Sequence, residues 1–351
     1  MTGIVQHGAV RDRTLKVALL SFAHPHAEGY AALLAATPGV ELLTSDPDGS
    51  SSTDAAPRGR ALAESIGVPY ADTYGEALAW GPDAVVVCSE NARHRDLVVA
   101  AARAGAHVLC EKPLATTLDD GREMVDACRA AGVFLMMAYP VRFSPEFATL
   151  RQAVAAGALG DVLALVGTNN GKIPVGGRGW FVDPELAGGG ALVDHVVHLA
   201  DLVDDLLDGA EPATVRAVAN RVLHADDPRV RAETGGLVTA TFPGGQVLTI
   251  DSSWSHPDAA ANWGGLTLQV CGSEGVADID PFGAHVGGTA GGGAAWLPLG
   301  ADLDRAMLDH FLGAVRAGEA PQPDGEVGLR TLRLVLDAQE SVATGRVVRR
   351  R

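Results

Sequence analysis

Residues 84–113 read AVVVCSENARHRDLVVAAARAGAHVLCEKP, and the fold class turns on them. Ala84 to Cys88 is a short apolar run rich in β-branched residues, the pattern of a strand buried on both faces. His94 to Ala104 spaces its apolar residues as a helix does, and His107 to Cys110 repeats the strand signal. A strand, a helix of about ten residues and a second strand predict parallel pairing, with the helix as the crossover.

The same alternation runs outward. Upstream lie Leu15 to Leu20 as strand, Ala27 to Ala36 as helix, Val40 to Thr44 as strand and Ala61 to Ile66 as helix. Downstream come Leu118 to Ala131 as helix and Phe134 to Ala138 as strand. After a polar arm at 1–14, residues 15–138 therefore read as a Rossmann-like α/β domain built on a doubly wound parallel sheet. Ligands of such sheets bind beyond the carboxyl ends of the strands. Those ends are Ser21 to His26, Asp46, Ser89 to His94 and Glu111 to Pro113.

From Tyr139 to Arg351 the pattern changes to a C-terminal α+β domain with a large, mostly antiparallel open sheet. Glu146 to Ala156 and Leu192 to Leu207 read as helices. Val215 to Val222, Gly236 to Phe242, Gln246 to Ser253, Leu266 to Cys271 and Gly275 to Ile279 read as strands, and Gly-rich Val286 to Ala295 reads as a loop. Two helices, Leu303 to Ala317 and Leu329 to Thr344 with Gly345 as cap, close the chain and are free to pack back toward the first domain.

Bulk properties narrow the partner. Lys and Arg total 27 against 43 Asp and Glu in 351 residues, a formal charge of −16, and the one basic run is Arg346 to Arg351. Nucleic acid and anionic membranes are poor partners for that balance, so the expected partner is a small molecule. No stretch has about 18 uninterrupted apolar residues. The four cysteines, Cys88, Cys110, Cys128 and Cys271, form no C-x-x-C pair and read as free thiols of a cytoplasmic protein.

A second stretch, GGGALVDHVVHLAD at 188–201, carries acid–base chemistry. In a helix Asp194 and His198 share a face, with Asp201 one turn on. A carboxylate beside an imidazole is a proton-transfer pair; a satisfied core histidine behind a Gly-rich turn is the plainer reading. The three glycines let backbone approach something closely, such as a substrate. His195 and His198 stand three apart and could share a metal with a carboxylate, although a neutral histidine on the helix flank fits His195 as well. No metal is assigned.

Glu111-Lys112-Pro113 after one predicted strand, Asn91-x-x-His94 after the strand before it, and the 188–201 stretch stand in one order along the chain. Together they resemble the glucose-fructose oxidoreductase, inositol dehydrogenase and rhizopine-catabolism (Gfo/Idh/MocA) family of nicotinamide-dependent oxidoreductases, from Lys16 to the last helix. By that resemblance Lys112 is the lysine near the nicotinamide and the reacting carbon, and Asp194 and His198 are the aspartate and catalytic histidine. The cofactor set is Ser21, Phe22, Ala23, His24, His26, Asp46, Ser89, Asn91, His94, Glu111 and Lys112. Arg142, Lys172 and Trp180, with Asp194, His195 and His198, are expected to hold substrate, and Arg178 and Phe181 to line the same cleft. The family implies an open sheet that associates, hence a dimer or tetramer.

Asp46 closes the second strand, where a carboxylate accepts ribose hydroxyls and repels a 2′-phosphate, so NAD is favoured over NADP. The expected function is hydride transfer to or from a secondary alcohol carbon of a sugar, glycoside or cyclitol. A redox-neutral lyase or isomerase using bound NAD or a metal, and a non-catalytic ligand-binding relative, are the alternatives. One departure bears on all of these: where the family has G-x-G-x-x-G, this chain has Ser21-Phe22-Ala23-His24-Pro25-His26.

Overall fold

The computed structural model describes residues 13–51, 56–290 and 293–350, so most of the expected arm at 1–14 lies outside the described residues. The first half runs β1 (Leu15–Leu20), α1 (His26–Ala35), β2 (Val40–Ser45), α2 (Gly59–Ile66), α3 (Tyr74–Ala79), β3 (Ala84–Val87), α4 (His94–Arg103), β4 (His107–Cys110), α5 (Leu118–Ala131) and β5 (Leu135–Met137). The strands form one sheet in the order β2-β1-β3-β4-β5, and every pairing is parallel. The order reverses between β1 and β3, which opens a crevice at their carboxyl ends. All four residues of β3 are buried, as a strand covered on both faces requires.

The second half runs α6 (Pro145–Ala155), β6 (Val162–Lys172), α7 (Pro184–Ala187), α8 (Ala191–Leu206), β7 (Thr214–Asn220), β8 (Gly235–Thr241), β9 (Val247–His256), β10 (Gly264–Gly272), β11 (Val276–Ile279), β12 (His285–Ala290), β13 (Gly293–Pro298), α9 (Leu303–Ala317), α10 (Gly325–Thr344) and β14 (Val348–Arg349). Its main sheet has the order β11-β10-β6-β9-β8-β7-β14, antiparallel except where β6 pairs parallel with β9. β6 is a strand that the sequence pattern hides, because Gly167, Asn169, Asn170 and Gly171 break its apolar alternation. The stretch expected to be a loop at 286–295 is a correction: β12 and β13 pair as an antiparallel hairpin from His285↔Pro298 to Ala290↔Gly293.

α8 lies against the main sheet and is buried all round except at His198 and Asp205. Small residues on the strands let it sit that close. A Cβ at Gly167 would stand 2.6 Å from Leu199, and one at Gly236 would stand 2.8 Å from Leu192. By length and composition Pro184–Leu206 is apolar enough to cross a membrane, but 83% of its apolar window is packed inside the fold, so it is a core helix. α9 returns to the first sheet, where Met307, Leu308, Phe311 and Leu312 join the core made by β1, α1 and β3. α10 packs on α8 and α5 and closes the opposite core.

Candidate active site

The carboxyl end of β4 and the first turns of α8 meet in the cleft. Lys112 Nζ donates to Asp194 Oδ1 at 2.8 Å and to the Asp194 carbonyl at 3.2 Å, and both residues are buried. Trp254, on β9 and fully buried, donates its Nε1–H to Asp194 Oδ2 at 3.1 Å. His195 Nε2 stands 3.2 Å from the same oxygen without the alignment of a hydrogen bond, and neither of its nitrogens has a partner. Burial opposes the Asp194 charge, but Lys112 and His195 hold its pKa well below the usual carboxylate value.

His198 lies one turn on, its ring edge-on to Tyr139 at 6.2 Å, and its buried Nδ1 has no partner. Burial, then the Lys112 ammonium, push its pKa well below the ordinary histidine value, against the pull of Asp194, so the ring is neutral. The expected side-by-side pair is thus corrected. Asp194 gives its oxygens to Lys112 and Trp254, and reaches His198 through its field alone. A charged ammonium and a neutral, unpartnered imidazole facing one cleft can steady an oxyanion and move a proton.

The three glycines before α8 approach the protein's own atoms closely. A Cβ on Gly188, whose φ is 82°, would meet Thr116 at 2.9 Å, and one on Gly190 would stand 2.0 Å from the Glu233 carbonyl oxygen. Glu233 in turn caps α8: its side chain accepts from Gly190 N at 2.8 Å and Leu192 N at 3.2 Å, and its carbonyl from Ala191 N at 2.9 Å. A carboxylate at that end also suits the helix dipole.

In the crevice beyond β1, Ser21 takes the left-handed backbone that a glycine would supply, with φ 73°. The turn satisfies its own amides. Ala23 N donates to Ser21 Oγ at 3.2 Å, His24 N to Cys88 O at 2.8 Å, His26 N to His24 Nδ1 at 3.3 Å and Ala27 N to His24 O at 3.1 Å. Phe22 is buried in the core that β1 shares with α1 and α9. Those amides would hold a diphosphate in a glycine-rich turn. The side chains beside them do fit a dinucleotide: Asp46 closes β2, Ser45 Oγ and Asn91 Oδ1 are buried without partners, and Glu111 draws two histidines to the turn.

Residues 6–139 match the profile described as "Oxidoreductase family, NAD-binding Rossmann fold", and residues 147–278 match "GFO/IDH/MocA C-terminal domain". The chain belongs to the GFO/IDH/MocA family. It is 33% identical to the 1,5-anhydro-D-fructose reductase of Ensifer adhaerens over 83% of this chain and 87% of that protein. It is 28% identical to D-xylose 1-dehydrogenase (NADP(+)) 2 of Haloferax volcanii over 89% of this chain and 94% of that one. The crystal structure of GenD2 from gentamicin A biosynthesis, in complex with NAD, superposes with a TM-score of 0.84 at 26% identity, covering 99% of this chain and 100% of that one. The protein is an oxidoreductase on a dinucleotide-binding scaffold.

Several positions expected of a GFO/IDH/MocA site are held by contacts within the chain. His94 faces carbonyl oxygens on both sides, Pro113 at 2.9 Å and Ser89 at 3.2 Å, and so clasps two strand ends together. The Ser89 hydroxyl turns back to the Glu90 carbonyl at 3.2 Å. Arg142 is spent beneath α8, with Nε 3.0 and 3.1 Å from the two Asp201 oxygens and Nη1 3.0 Å from Asp205. It lines no cleft. Lys172 Nζ is tied to the carbonyls of Asp258 at 2.9 Å and Ala260 at 2.7 Å. Trp180 is buried, stacked on Phe181 with its Nε1 on the Ala23 carbonyl at 3.0 Å, so it presses the 174–188 segment onto the turn. Arg178 is buried in the same segment and donates to the Pro57 carbonyl at 3.4 Å.

Three residues escaped the sequence reading. Arg58, buried, binds Asp46 through Nε at 3.1 Å and Nη2 at 2.9 Å, and Glu90 through Nη1 at 2.9 Å. It follows a loop proline and carries no sequence signal. Trp254 keeps to the inward alternation of β9, a signal that was there to find. Trp263, half-exposed, stands edge-on to His195 at 5.4 Å and covers Gly171, where a Cβ would meet its ring at 2.7 Å.

Proposed function

We propose that the protein transfers a hydride to or from a secondary alcohol carbon of a sugar, glycoside or cyclitol, using NAD(H) in preference to NADP(H). The observation that carries the reading is the buried Lys112–Asp194 ion pair at 2.8 Å, on the helix that also presents the unpartnered, neutral His198. A nicotinamide bound in the crevice beyond β1 and β3 would be the hydride donor or acceptor. His198 takes the hydroxyl proton in oxidation and returns it in reduction. Lys112, positioned by Asp194 and through it by Trp254, stabilises the developing alkoxide. Carbohydrate substrates named for the relatives support the substrate class, and Trp263 at the rim offers an apolar ring face.

Charge supports the cofactor choice. Around the end of β2, Asp46, Asp48 and Glu90 face Arg58 and Arg93, three carboxylates against two guanidiniums, with Arg58 held by two of those carboxylates and Arg93 by Asp48. A 2′-phosphate entering that cluster meets excess negative charge. The open face of the main sheet exposes Val166, Val218, Leu237 and Val247, which suits a cytoplasmic homo-oligomer.

The test pairs two titrations. Nicotinamide fluorescence is expected to report tighter binding of NADH than of NADPH, and equal affinities would remove the cofactor argument. His198→Asn is expected to lower kcat by about 10²- to 10⁴-fold with NADH affinity nearly unchanged, while His195→Asn is mild. Equal losses in both variants, restored by excess divalent metal, would sink the assignment of His198 as the base.

A further inference from the structure

The turn that replaces the glycines brings two imidazoles to one carboxylate. His24 Nδ1 lies 3.5 Å and His26 Nδ1 2.9 Å from Glu111 Oε1, and one donor atom from each of the three residues falls within 4.8 Å of the others. Donors about 2.1 Å from a tetrahedral zinc stand about 3.4 Å apart, so the spacing is that of a shell closed by a small movement. His24 and Glu111 are buried, and the Nε2 of His24 has no partner. The His26 side chain is 36% exposed, which leaves one side of the cluster open to solvent for a further ligand.

Hydrogen bonding within the turn, including His26 N donating to His24 Nδ1 at 3.3 Å, leaves one buried imidazole nitrogen over, His24 Nε2. The His26–Glu111 contact with Tyr30 OH on His26 at 3.2 Å accounts for one imidazole, but His24 stands against the same carboxylate with a nitrogen unused. Two neutral imidazole nitrogens and one carboxylate oxygen are the donor set of borderline divalent metals. The nearest cation, Lys112, is neutralised by Asp194 at 2.8 Å. His195 and His198, by contrast, gather no third donor into such a group among the described residues.

We propose that His24, His26 and Glu111 bind one divalent transition-metal ion of the zinc or cobalt kind at the end of β1, with an open coordination position toward the crevice. The ion takes the place that a glycine-rich turn leaves to backbone amides, beside the reaction centre and independent of His198. Binding displaces protons from whichever imidazole carries one, and affinity falls in acid.

The full-length protein, stripped with EDTA, is titrated with Zn²⁺ by calorimetry and with Co²⁺ by visible absorption. One equivalent of each is expected to bind at micromolar affinity or tighter. Glu111→Gln and His24→Asn are each expected to weaken binding at least about 100-fold, with His195→Asn unchanged. Circular dichroism checks that the variants fold, and the Zn²⁺-induced shifts of the His24 and His26 ring resonances are read on the wild-type chain. Absence of stoichiometric binding by the folded wild type, or binding that survives in Glu111→Gln, overturns the site. Dinucleotide fluorescence, measured separately, keeps this outcome apart from failure of the cofactor reading.

Discussion

The charge states of Asp194 and His198 are set by burial first and by their charged neighbours second. His198 is pushed down by burial first and by the Lys112 ammonium second, so its neutral form persists on acidification below the ordinary value of 6.5. Alcohol oxidation needs the neutral ring. Its rate is therefore expected to hold level through neutral pH, with the acid limb lying below 6.5. NMR titration of the His198 ring checks this independently, and an apparent pKa at or above the ordinary value would contradict it. The linkage has the same sign: protons taken up by His198 on unfolding make the fold less stable as pH falls through that window. At this scale the sequence was legible where chemistry is carried by residue type and order. It could not show that Asp194 bonds Lys112 and Trp254, since those partners come from β4 and β9, far away in the chain.

The helix α8 is aimed by contacts at its start. Gly190 has no room for a side chain, because its Cβ would fall 2.0 Å from a backbone oxygen that cannot move cheaply. Gly190→Ala is expected to cost about 1–3 kcal/mol in denaturant unfolding and to lower kcat with it, as Asp194 leaves the reach of Lys112. Unchanged kcat at normal stability would show that α8 is not positioned from Glu233. Elements with a clean period were readable: β1 and β4 fall where the apolar runs do, and α5 and α9 run from cap to cap as expected. β6 was not, and the cause is physical. Its glycines answer Leu199 and Trp263, which lie on other elements, so its local pattern obeys packing in place of alternation. α10 begins earlier than its apolar period, at a turn where Asp324 accepts from Glu326 N and Val327 N.

Across the molecule, the two sheets are built from separate halves of the chain, whereas the core under the first sheet also draws on α9. Phe311, fully buried on α9, packs with Leu19, Tyr30 and Leu34 of the first half. Phe311→Ala is expected to lower stability by about 3–5 kcal/mol and to be felt in the dinucleotide domain, where hydrogen exchange of β1 amides should quicken. If only amides of the second sheet respond, the two cores are less joined than the packing implies. This return was only partly foreseeable. Helical period at Leu303 to Ala317 marks an apolar stripe, yet nothing in a stripe names the surface it will cover.

That late return has a consequence for how the chain is made. Strand β1 and helix α1 leave the ribosome early, but the apolar face they share stays uncovered until residues 307–312 have been synthesised. At about 5–20 residues per second the delay after β5 is roughly 10–35 s, long against the microseconds in which such a sheet can collapse. The nascent first half spends that interval with the apolar face that α9 will cover still open. Its core is closed only when α9 arrives.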